Sequence, residues 1–389
     1  MTLTSAPSDD RQPVRFGLLG YGFMGRAHAN ALRTIPYIFW PSKARPELFA
    51  VSGRTEASVR EAATRYGFGS WTTDWRDLVT DERVDVFDNV GPDAEHVEPT
   101  LAAIEQGKHV VCEKPLAMSA SDAQRLYEAA TAAGVKHMTC FNYRFFPAVR
   151  LAWEMIHGGE LGDLHQARFR YSQEWRTDPE APLPSPTGVI DIVGCHAVDQ
   201  ARFLCGEIAS VSAAVTTIAA QRTYQGEPAD TDDTVAILAQ LEGGLVATID
   251  ASLVSPGRRN HLSWEINGAK GSLVWNLEEP NVLRVHRRGG RMGGFTDVIV
   301  CEADHPIAAS WWPSGHVLGW EHGHVNMLAH LVDAVAGDTP VGPHGATFYD
   351  GLRAAQVAEA VQEAAKTGAR VDVAQSRVAS KDGREVAAL

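Results

Sequence analysis

Two side chains in this sequence have the chemistry needed to help a hydroxyl group lose its proton. Lys114 follows the apolar segment 109–113 and precedes Pro115. Its ammonium could hold a hydroxyl and stabilise the oxygen as it becomes an alkoxide. His196 carries the side chain whose ordinary pKa suits general acid–base work near neutrality. Either residue could instead be ordinary, because a lysine at a strand end is commonly a surface residue and a single histidine commonly makes a structural hydrogen bond.

A glycine motif supplies a second kind of chemistry, the binding of a dinucleotide. Residues 20–25 are Gly-Tyr-Gly-Phe-Met-Gly and lie between a predicted strand and a predicted helix, which is the context that this motif requires. Gly20 would permit a tight turn, Gly22 would let the backbone approach a pyrophosphate, and Gly25 would let the helix pack on the strand. The free N–H groups at the start of the helix would hold the pyrophosphate.

The end of the second predicted strand bears on the choice of cofactor. Sites specific for NAD often have a carboxylate there to bind the ribose 2′-OH, and this chain has none. Ser52 and Arg54 offer a hydroxyl and a cation instead, which favours NADP slightly over NAD. Arg54 could equally stack on adenine or lie free in solvent.

The elements that must position these residues follow a regular alternation in the first part of the chain. Strands are predicted at 14–20, 48–52, 84–90, 109–113 and 136–141, and helices at 27–33, 56–66, 95–106 and 121–133. Strand–helix alternation with short connections predicts a doubly wound parallel sheet. Ligands bind beyond the carboxyl ends of the strands in such a sheet, so Lys114 is expected to point into the cleft.

After residue 145 the pattern changes to a run of strands. Helices are predicted at 147–157, 191–204, 317–336 and 348–366, and strands at 164–175, 211–219, 234–241, 245–253, 261–267, 272–276 and 282–286. This spacing favours a large, mainly antiparallel sheet. The sequence therefore predicts an α/β protein with a dinucleotide-binding Rossmann domain at 1–145 and a substrate-binding and oligomerisation domain at 146–389.

Length and charge set outer limits on function. The 389 residues are enough for two domains, and 35 Lys and Arg against 48 Asp and Glu give a net charge of -13. Such an acidic chain is a poor binder of nucleic acid. We expect no membrane association, because no apolar run approaches the roughly 20 residues of a membrane helix. The polar start of the chain, residues 1–13, and five scattered cysteines predict a cytoplasmic protein with reduced thiols.

Five motifs, taken in order, resemble the Gfo/Idh/MocA family, which is named for glucose–fructose oxidoreductase and inositol dehydrogenase. They are the segments 20–25, 91–96 (Gly-Pro-Asp-Ala-Glu-His), 113–115 (Glu-Lys-Pro), 142–145 (Asn-Tyr-Arg-Phe) and 194–199 (Gly-Cys-His-Ala-Val-Asp). The resemblance covers nearly the whole chain, and the ordered set is far more specific than any one motif. It implies a Rossmann domain followed by an α/β domain whose open sheet supports homodimers or homotetramers.

The resemblance also implies roles for single residues. Lys114 would orient the reacting hydroxyl and His196 would be the acid/base, with Asn142 and Arg144 near the cofactor and the substrate. The segment 37–46, an insertion between the first helix and the second strand, resembles levoglucosan dehydrogenase-type members that act on sugars and cyclitols.

One position departs from the family pattern. Family members usually carry an aspartate four residues before the catalytic histidine, and this chain has Ile192 there and Asp191 one residue earlier. We expect a shifted helix start to let Asp191 reach the site, although an altered role for the aspartate is the alternative.

The function predicted is NAD(P)-dependent oxidation of a secondary hydroxyl of a sugar, glycoside or cyclitol to a ketone. Alternatives are a keto-sugar or dihydrodiol reductase running the reverse reaction, a tightly held nicotinamide that cycles between both half-reactions, and a non-catalytic dinucleotide-binding regulator. The presence of both Lys114 and His196 disfavours the regulator.

The predicted site residues form three overlapping groups. The catalytic residues are Lys114, His196 and Asp191. The cofactor-binding residues are Gly20, Gly22, Phe23, Met24, Gly25, Ser52, Arg54, Gly91, Pro92, His96, Glu113, Lys114, Asn142 and Arg144. The substrate-binding residues are Lys114, Arg144, Trp175, Asp191, His196 and Trp312.

Some further residues are weaker candidates. Gln173, Asn260, Trp311 and Trp320 could line a carbohydrate pocket, although core or interface packing is the commoner role of a tryptophan. No metal is predicted, because the histidines near residue 322 lack a completing ligand set.

Overall fold

The computed structural model of the chain describes residue 9 and residues 11–183, 185–218, 222–229, 231–289 and 293–374, together with the backbone of 377–379 and 385–387. Most of the N-terminal segment predicted as a leader, namely residues 1–8 and 10, lies outside the described residues.

The first part of the chain folds into a parallel sheet. Its elements are β1 (Gln12–Leu19), α1 (Phe23–Ile38), β2 (Ala44–Ser52), α2 (Glu56–Tyr66), β3 (Ser70–Thr72), α3 (Trp75–Thr80), β4 (Val86–Asn89), α4 (Val97–Glu105), β5 (His109–Cys112), α5 (Ala120–Ala133) and β6 (His137–Thr139). The strand order is β3-β2-β1-β4-β5-β6, and every pairing is parallel. This order reverses between β1 and β4, so ligands are expected at the carboxyl ends of those two strands.

The second part contains the larger sheet. Its elements are α6 (Pro147–His157), β7 (Leu164–Ser172), α7 (Cys195–Cys205), β8 (Ile208–Thr216), β9 (Thr223–Tyr224), β10 (Glu227–Pro228), β11 (Thr234–Leu241), β12 (Val246–Ser252), β13 (His261–Gly268), β14 (Gly271–Asn276), β15 (Val282–Arg287), β16 (Thr296–Ile299), α8 (Trp320–Gly337), α9 (Phe348–Thr367), β17 (Val371–Asp372), β18 (Arg377–Ala379) and β19 (Glu385–Ala387).

Nine of these strands form one sheet in the order β16-β15-β14-β13-β7-β12-β11-β8-β17. The β7–β12 pair is parallel and the other pairs are antiparallel. Side chains on its inner face, including Trp264 and Trp275, form one core with α6, α7 and α9. The fold class predicted from the sequence, a Rossmann sheet followed by a mainly antiparallel sheet, is confirmed.

Helix α8 does not stay with the sheet that precedes it in the chain. Its Leu328 and Leu331 share a core with Leu32 and Ile35 of α1 and Phe16 of β1. Helix α9 lies between the two sheets, because Phe348 and Leu352 at its start pack with the α4 and α5 side of the first sheet. The chain therefore returns to the dinucleotide-binding part after it has built the second sheet.

Two further features concern the helices and the cysteines. None of the helices in the described part of the chain combines the length and hydropathy that crossing a bilayer requires. All five cysteines are unpaired, and only Cys205 is not fully buried.

Candidate active site

A cleft of about 620 Å³ lies where the two parts of the chain meet. A volume of this size suits a small-molecule site. It is lined by Phe23, Met24, Val90, Gly91, Asp93, His96, Glu113, Lys114, Cys140, Asn142, Tyr143, Tyr171, Gln173, Trp175, Ile192, Val193, His196, Arg259, Asn260, Trp320 and His324.

The glycine motif has the geometry that its sequence predicted. Gly20 has φ +104°, and a Cβ there would lie 2.7 Å from the carbonyl oxygen of Val90. A Cβ at Gly25 would overlap the Gly20 carbonyl, so only hydrogen lets α1 pack this close to the turn. Gly22 is different, because nothing lies within 4 Å of where its Cβ would be. The open space beside Gly22 and the start of a 16-residue helix fit a pyrophosphate.

The end of β2 gives less support to a 2′-phosphate. Ser52 is buried, with 1% of its surface exposed, whereas the Arg54 side chain is exposed. Between them Gly53 lies against the ring of Tyr21, so closely that any Cβ would overlap it. Only Arg54 of the two predicted residues is free to reach an added phosphate.

The loop after β4 is held against the loop after β5 by His96. Its Nδ1 lies 2.7 Å from the carbonyl oxygen of Pro115 and its Nε2 lies 3.2 Å from that of Gly91. Each contact joins a ring nitrogen to a carbonyl oxygen, and a nitrogen that carries a proton donates to the carbonyl it faces. His96 thus fixes the loops that carry Gly91 and Lys114. Pro92, which was predicted to bind the cofactor, is exposed and does not line the cleft.

Lys114 lies in the cleft at the carboxyl end of β5. Its Nζ donates a hydrogen bond to the carbonyl oxygen of Ile192 at 2.9 Å. Burial disfavours the ammonium, but Cys195, Glu113 and Asp93 together outweigh burial and raise the pKa of Lys114 above its ordinary value. Lys114 is therefore a cation at neutral pH, with N–H groups left to offer a ligand.

His196 faces the same cleft from the first turn of α7. Its ring is surrounded by aromatic rings, with Tyr143 at 4.7 Å and Phe141 and Tyr171 at 5.8 Å between centroids. Burial, and then the charge of Lys114, lower the pKa of His196 well below its ordinary value. The imidazole is therefore neutral near pH 7, which is the form that can accept a proton.

The structure does not bring Asp191 into the cleft. Residues 190–194 form a single π-helical turn before α7, and it is Ile192 and Val193 that line the cleft. Successive residues of a helical turn point in different directions, so Asp191 faces away and lines a separate cavity with Met118 and Glu359. Burial and the nearby Asp232 raise the pKa of Asp191 to about 7. The expectation that a shifted helix start lets Asp191 reach His196 is corrected accordingly.

A different carboxylate lies in the cleft, and the sequence analysis did not assign it a role. Asp93, in the turn after β4, lines the cleft and favours the charged form of Lys114. Its Oδ2 accepts a hydrogen bond from Thr187 at 2.7 Å, which ties this turn to the segment that precedes the π-helical turn. The sequence feature that could have identified Asp93 is its position in the 91–96 motif.

Arg144 does not line the cleft either. Its guanidinium is buried and paired with Asp199 of α7 at 2.6 Å and with Asp350 of α9 at 2.9 Å. Arg202 also contacts Asp350, at 3.3 Å. These partners engage the buried guanidinium, so Arg144 fastens α7 and α9 to the start of the second part.

One wall of the cleft is a chain of hydrogen-bonded side chains. The Tyr171 hydroxyl donates to Oδ1 of Asn260 at 2.6 Å, and Nε2 of Gln173 donates to the same oxygen at 2.7 Å. The Trp175 indole donates to Oε1 of Gln173 at 2.6 Å. Hydroxyl, amide and indole groups in a row, beside a half-exposed tryptophan face, suit a ligand that carries several hydroxyls.

Of the other predicted tryptophans, one lines the cleft and two lie outside it. Trp320 lines the cleft, and its ring stacks on that of Phe23 at 5.3 Å. Trp311 packs against Phe39, and Trp312 is half exposed outside the cleft. The assignment of Trp312 to the substrate is corrected, because Trp312 does not line the cleft and its ring lies beside that of Trp311.

Beneath the cleft lies a buried charged cluster that the sequence analysis missed. His28 of α1 contacts Asp88 at 2.9 Å and Glu113 at 3.3 Å. Burial disfavours the imidazolium, but these two carboxylates outweigh it and raise the pKa of His28 to about 10. In turn His28 and Lys114 overcome burial and lower the pKa of Glu113 to about 2.

This cluster contains the one group of potential metal ligands found among the described residues, which is His28, Glu113 and Cys140. His28 is protonated in this arrangement, so its lone pair is not available to an ion. Burial also holds the pKa of the Cys140 thiol well above its ordinary value. The prediction of no metal stays a prediction.

Several polar atoms at the cleft have no hydrogen-bond partner among the described residues. They include Nδ2 of Asn142 and both ring nitrogens of His324, and all three are buried. Buried polar groups are nearly always paired, so unpaired ones that share a cleft are available to a bound ligand or to water. Together with the open turn at Gly22, these atoms fit a bound dinucleotide whose reactive ring lies near Lys114 and His196.

A dinucleotide turn, a protonated lysine and a neutral histidine around one cleft define an NAD-binding oxidoreductase. Residues 14–141 match the family model described as "Oxidoreductase family, NAD-binding Rossmann fold", and residues 149–274 match the "GFO/IDH/MocA C-terminal domain". The chain belongs to the GFO/IDH/MocA family, as its motifs predicted.

Relatives of known name agree with this assignment. Levoglucosan dehydrogenase of Pseudarthrobacter phenanthrenivorans is 34% identical over 94% of this chain and 99% of its own length. The solved complex of levoglucosan dehydrogenase with NADH and levoglucosan superposes with a TM-score of 0.90, covering 94% of this chain and 100% of that one at 34% identity. An oxidoreductase domain protein from Kribbella flavida has the same TM-score and coverage, at 35% identity.

Proposed function

We propose that this enzyme oxidises a secondary hydroxyl of a sugar, glycoside or cyclitol to a ketone, with NAD as the hydride acceptor. The observation that carries the proposal is the pairing of a cationic Lys114 with a neutral His196 in the cleft that begins at the dinucleotide turn. The similar levoglucosan dehydrogenase and its complex with NADH and levoglucosan support the same class of substrate.

The residues of the chain divide the work on the hydroxyl. Lys114, held in place by the Ile192 carbonyl, donates a hydrogen bond to the hydroxyl oxygen and stabilises the negative charge that develops there. His196 takes the hydroxyl proton on a ring nitrogen as the C–H bond breaks and the C=O double bond forms. The bound nicotinamide supplies the chemistry of hydride acceptance at its C4.

Family members usually have a carboxylate before the histidine, and in the proposed mechanism other groups take its place beside Lys114. At that position the chain offers Ile192, whose carbonyl oxygen now accepts from Lys114. Asp93 adds negative charge near the lysine. Lys114 therefore keeps one hydrogen-bond acceptor and one nearby carboxylate that favours its charged form, although neither comes from the usual aspartate position.

The substrate class follows from the wall opposite the dinucleotide turn. Tyr171, Gln173 and Asn260 present neutral donors and acceptors, and Trp175 presents an aromatic face of the kind that packs on sugar C–H groups. Arg259 is the cation on this wall, and it is already paired with Glu174. An uncharged polyol therefore fits better than an anionic substrate.

The cofactor proposed is NAD, in contrast to the slight preference for NADP that the sequence suggested. Ser52 is too buried to meet a 2′-phosphate, so a preference for NADP would depend on Arg54 alone. The NADH in the similar enzyme's complex supports the same choice.

The test is a panel of levoglucosan, aldoses, methyl glycosides and inositols, each assayed for NADH or NADPH formation at 340 nm. We expect at least one polyol to reduce NAD, and Lys114→Ala to lower kcat by about 10²–10³ with that substrate. Lys366→Ala, at an exposed lysine of α9, is the control and should retain full activity. Tight NADH binding with no turnover of any polyol would support a regulator and contradict the proposal, as would a fully active Lys114→Ala enzyme.

A further inference from the structure

His324 is the side chain of the cleft that the proposed reaction leaves without a task. It lies one turn into α8, is 2% exposed and lines the cleft together with Glu113 and Asn142. Neither of its ring nitrogens has a hydrogen-bond partner among the described residues. An imidazole buried with both nitrogens unpaired is costly, and a ligand that pairs with it would recover that cost.

The neighbours of His324 place it on the dinucleotide side of the cleft. Its ring centroid lies 4.6 Å from that of Trp320, which in turn stacks on Phe23 at the start of α1. On its other side, His28 of α1 lies 5.6 Å away. The polyol-binding wall of Tyr171, Gln173 and Asn260 belongs to the second sheet and its loops, so His324 is grouped with the cofactor elements and not with that wall.

The ring of His324 is neutral. Burial and the protonated His28 lower its pKa to about 3, although Glu113 opposes this. A neutral imidazole has one N–H donor and one lone-pair acceptor, and it carries no charge to attract a phosphate. It therefore suits an uncharged group that can both give and accept hydrogen bonds.

Asn142 supplies the complementary half of such a site. Helix α8 passes so close that a Cβ at Gly323 would lie 3.2 Å from the carbonyl oxygen of Asn142 and 3.4 Å from its Nδ2. The unpaired Nδ2 can only donate, whereas His324 can accept. A carboxamide has one C=O acceptor and one NH₂ donor, so it matches this pair of neighbouring residues atom for atom.

We propose that His324 is a cofactor-positioning residue that accepts a hydrogen bond from the nicotinamide carboxamide NH₂, while Asn142 donates to the carboxamide oxygen. This inference rests on the proposed NAD-dependent function. It adds that α8, a helix far along the chain from the dinucleotide motif, sets the orientation of the reactive ring above Lys114 and His196.

The test compares three probes by direct binding, without substrate and without turnover. NADH carries the carboxamide, the reduced 3-acetylpyridine analogue carries a methyl ketone in its place, and ADP-ribose lacks the nicotinamide ring. For His324→Phe, which keeps an aromatic ring beside Trp320, we expect the Kd of NADH to rise about tenfold. The Kd of ADP-ribose should stay unchanged, and the preference of the wild-type protein for NADH over the analogue should disappear.

A conservative variant and a measurement of KM for the polyol test the assignment further. His324→Gln keeps a neutral donor and acceptor, so it should retain most of the NADH affinity and the preference over the analogue. If His324→Phe does not fold, loss of that preference in His324→Ala carries the same information. Equal weakening of all three probes, or unchanged NADH binding with a raised KM for the polyol, would overturn the assignment to the carboxamide. A wild-type protein that binds none of the probes would refute the proposed function itself.

Discussion

In the proposed mechanism, Lys114 acts as a cation and His196 acts as a base. Because Lys114 lies beside Glu113 and Asp93, its proton is retained, and because His196 is buried beside that cation, its ring stays neutral. A neutral imidazole can accept the hydroxyl proton, whereas it must first be protonated before it can give a proton to a ketone oxygen. The proposed mechanism therefore favours oxidation of an alcohol over reduction of a ketone at neutral pH.

This asymmetry predicts different pH profiles for the two directions. Oxidation needs the neutral form of His196, which is present above its pKa, so kcat/KM for the polyol should be flat between about pH 7 and pH 9 with no inflection near the ordinary histidine value of about 6.5. Reduction of the ketone needs the imidazolium, so its kcat/KM should fall about tenfold per pH unit over the same range. Initial rates at saturating NAD and NADH measure both. An inflection near pH 6.5 in the oxidation profile would show that His196 has an ordinary pKa.

Single residues were predictable from the sequence where a local motif fixes their direction. Lys114 ends a strand of a doubly wound sheet, and such ends face the ligand whatever the rest of the chain does. Asp191 was not predictable, because the π-helical turn at 190–194 changes which side chains face the cleft. The position of Arg144 outside the cleft was not predictable for another reason. Asp350, one of its two carboxylate partners, lies 206 residues further along the chain.

At the scale of elements, two glycines near the turn between β1 and α1 have different roles, one in packing and one in the proposed binding of pyrophosphate. Gly25→Ala would force a Cβ onto the Gly20 carbonyl, so it should lower the free energy of unfolding by about 1–3 kcal/mol as well as impair binding. Gly22→Ala meets no protein atom within 4 Å and should leave stability unchanged. Its methyl group enters the space proposed for the pyrophosphate, so the Kd of NADH should rise at least about tenfold. Denaturant unfolding and NADH titration of both variants distinguish the two roles, and loss of stability in Gly22→Ala would contradict this assignment.

The ion pairs around Arg144 connect α7 and α9 with the segment that carries Arg144, and their loss should destabilise the protein. Arg144→Met leaves Asp199 buried without its main partner, which should lower the free energy of unfolding by about 3–5 kcal/mol. Arg83→Met, at an exposed arginine paired with Asp81, is the matched control and should leave stability close to unchanged. Because α7 carries both Asp199 and His196, kcat should fall in Arg144→Met while NADH affinity changes little. A normal unfolding midpoint in Arg144→Met would show that the buried pair is not stabilising.

Elements whose length and end residues are marked in the sequence were predicted with accurate bounds. Helix α2 runs over Glu56–Tyr66 as expected and ends at Gly67 with φ +84°, where a left-handed residue favours glycine. The prediction missed β3 and α3, because a three-residue strand and a six-residue helix carry too few positions for a pattern. Half of the segment 37–46, interpreted as an insertion, belongs to the flanking elements, because residues 37–38 end α1 and residues 44–46 begin β2.

At the scale of the whole molecule, the outer face of the nine-stranded sheet is exposed along its central strands in the described part of the chain. Arg170 pairs with Asp250 across neighbouring strands there, and Leu238 and Val246 stand exposed among such polar groups. We expect this face to join copies of the chain, as the family resemblance implied for its open sheet. Sedimentation should give two or four times the monomer mass, and Leu238→Lys combined with Val246→Lys should shift it to the monomer. Met118→Lys, at an exposed methionine on the Rossmann side, should not, and a monomeric wild-type protein would refute the expectation.

The return of α8 to the first sheet changes where this protein can be recombined with its relatives. The dinucleotide-binding half is built from two stretches of chain, because Leu328 and Leu331 of α8 complete the core that begins with Phe16 and α1. A chimaera joined once, after residue 145, would give α1 a foreign helix to pack against and would replace Trp320 and His324 along with the polyol wall. A graft of residues 146–319 with two junctions would exchange the wall and leave the cofactor half whole. The proposed polyol wall and the proposed nicotinamide site therefore lie on different stretches of chain, while α9 and β17, which follow both junctions, would pack on the exchanged sheet.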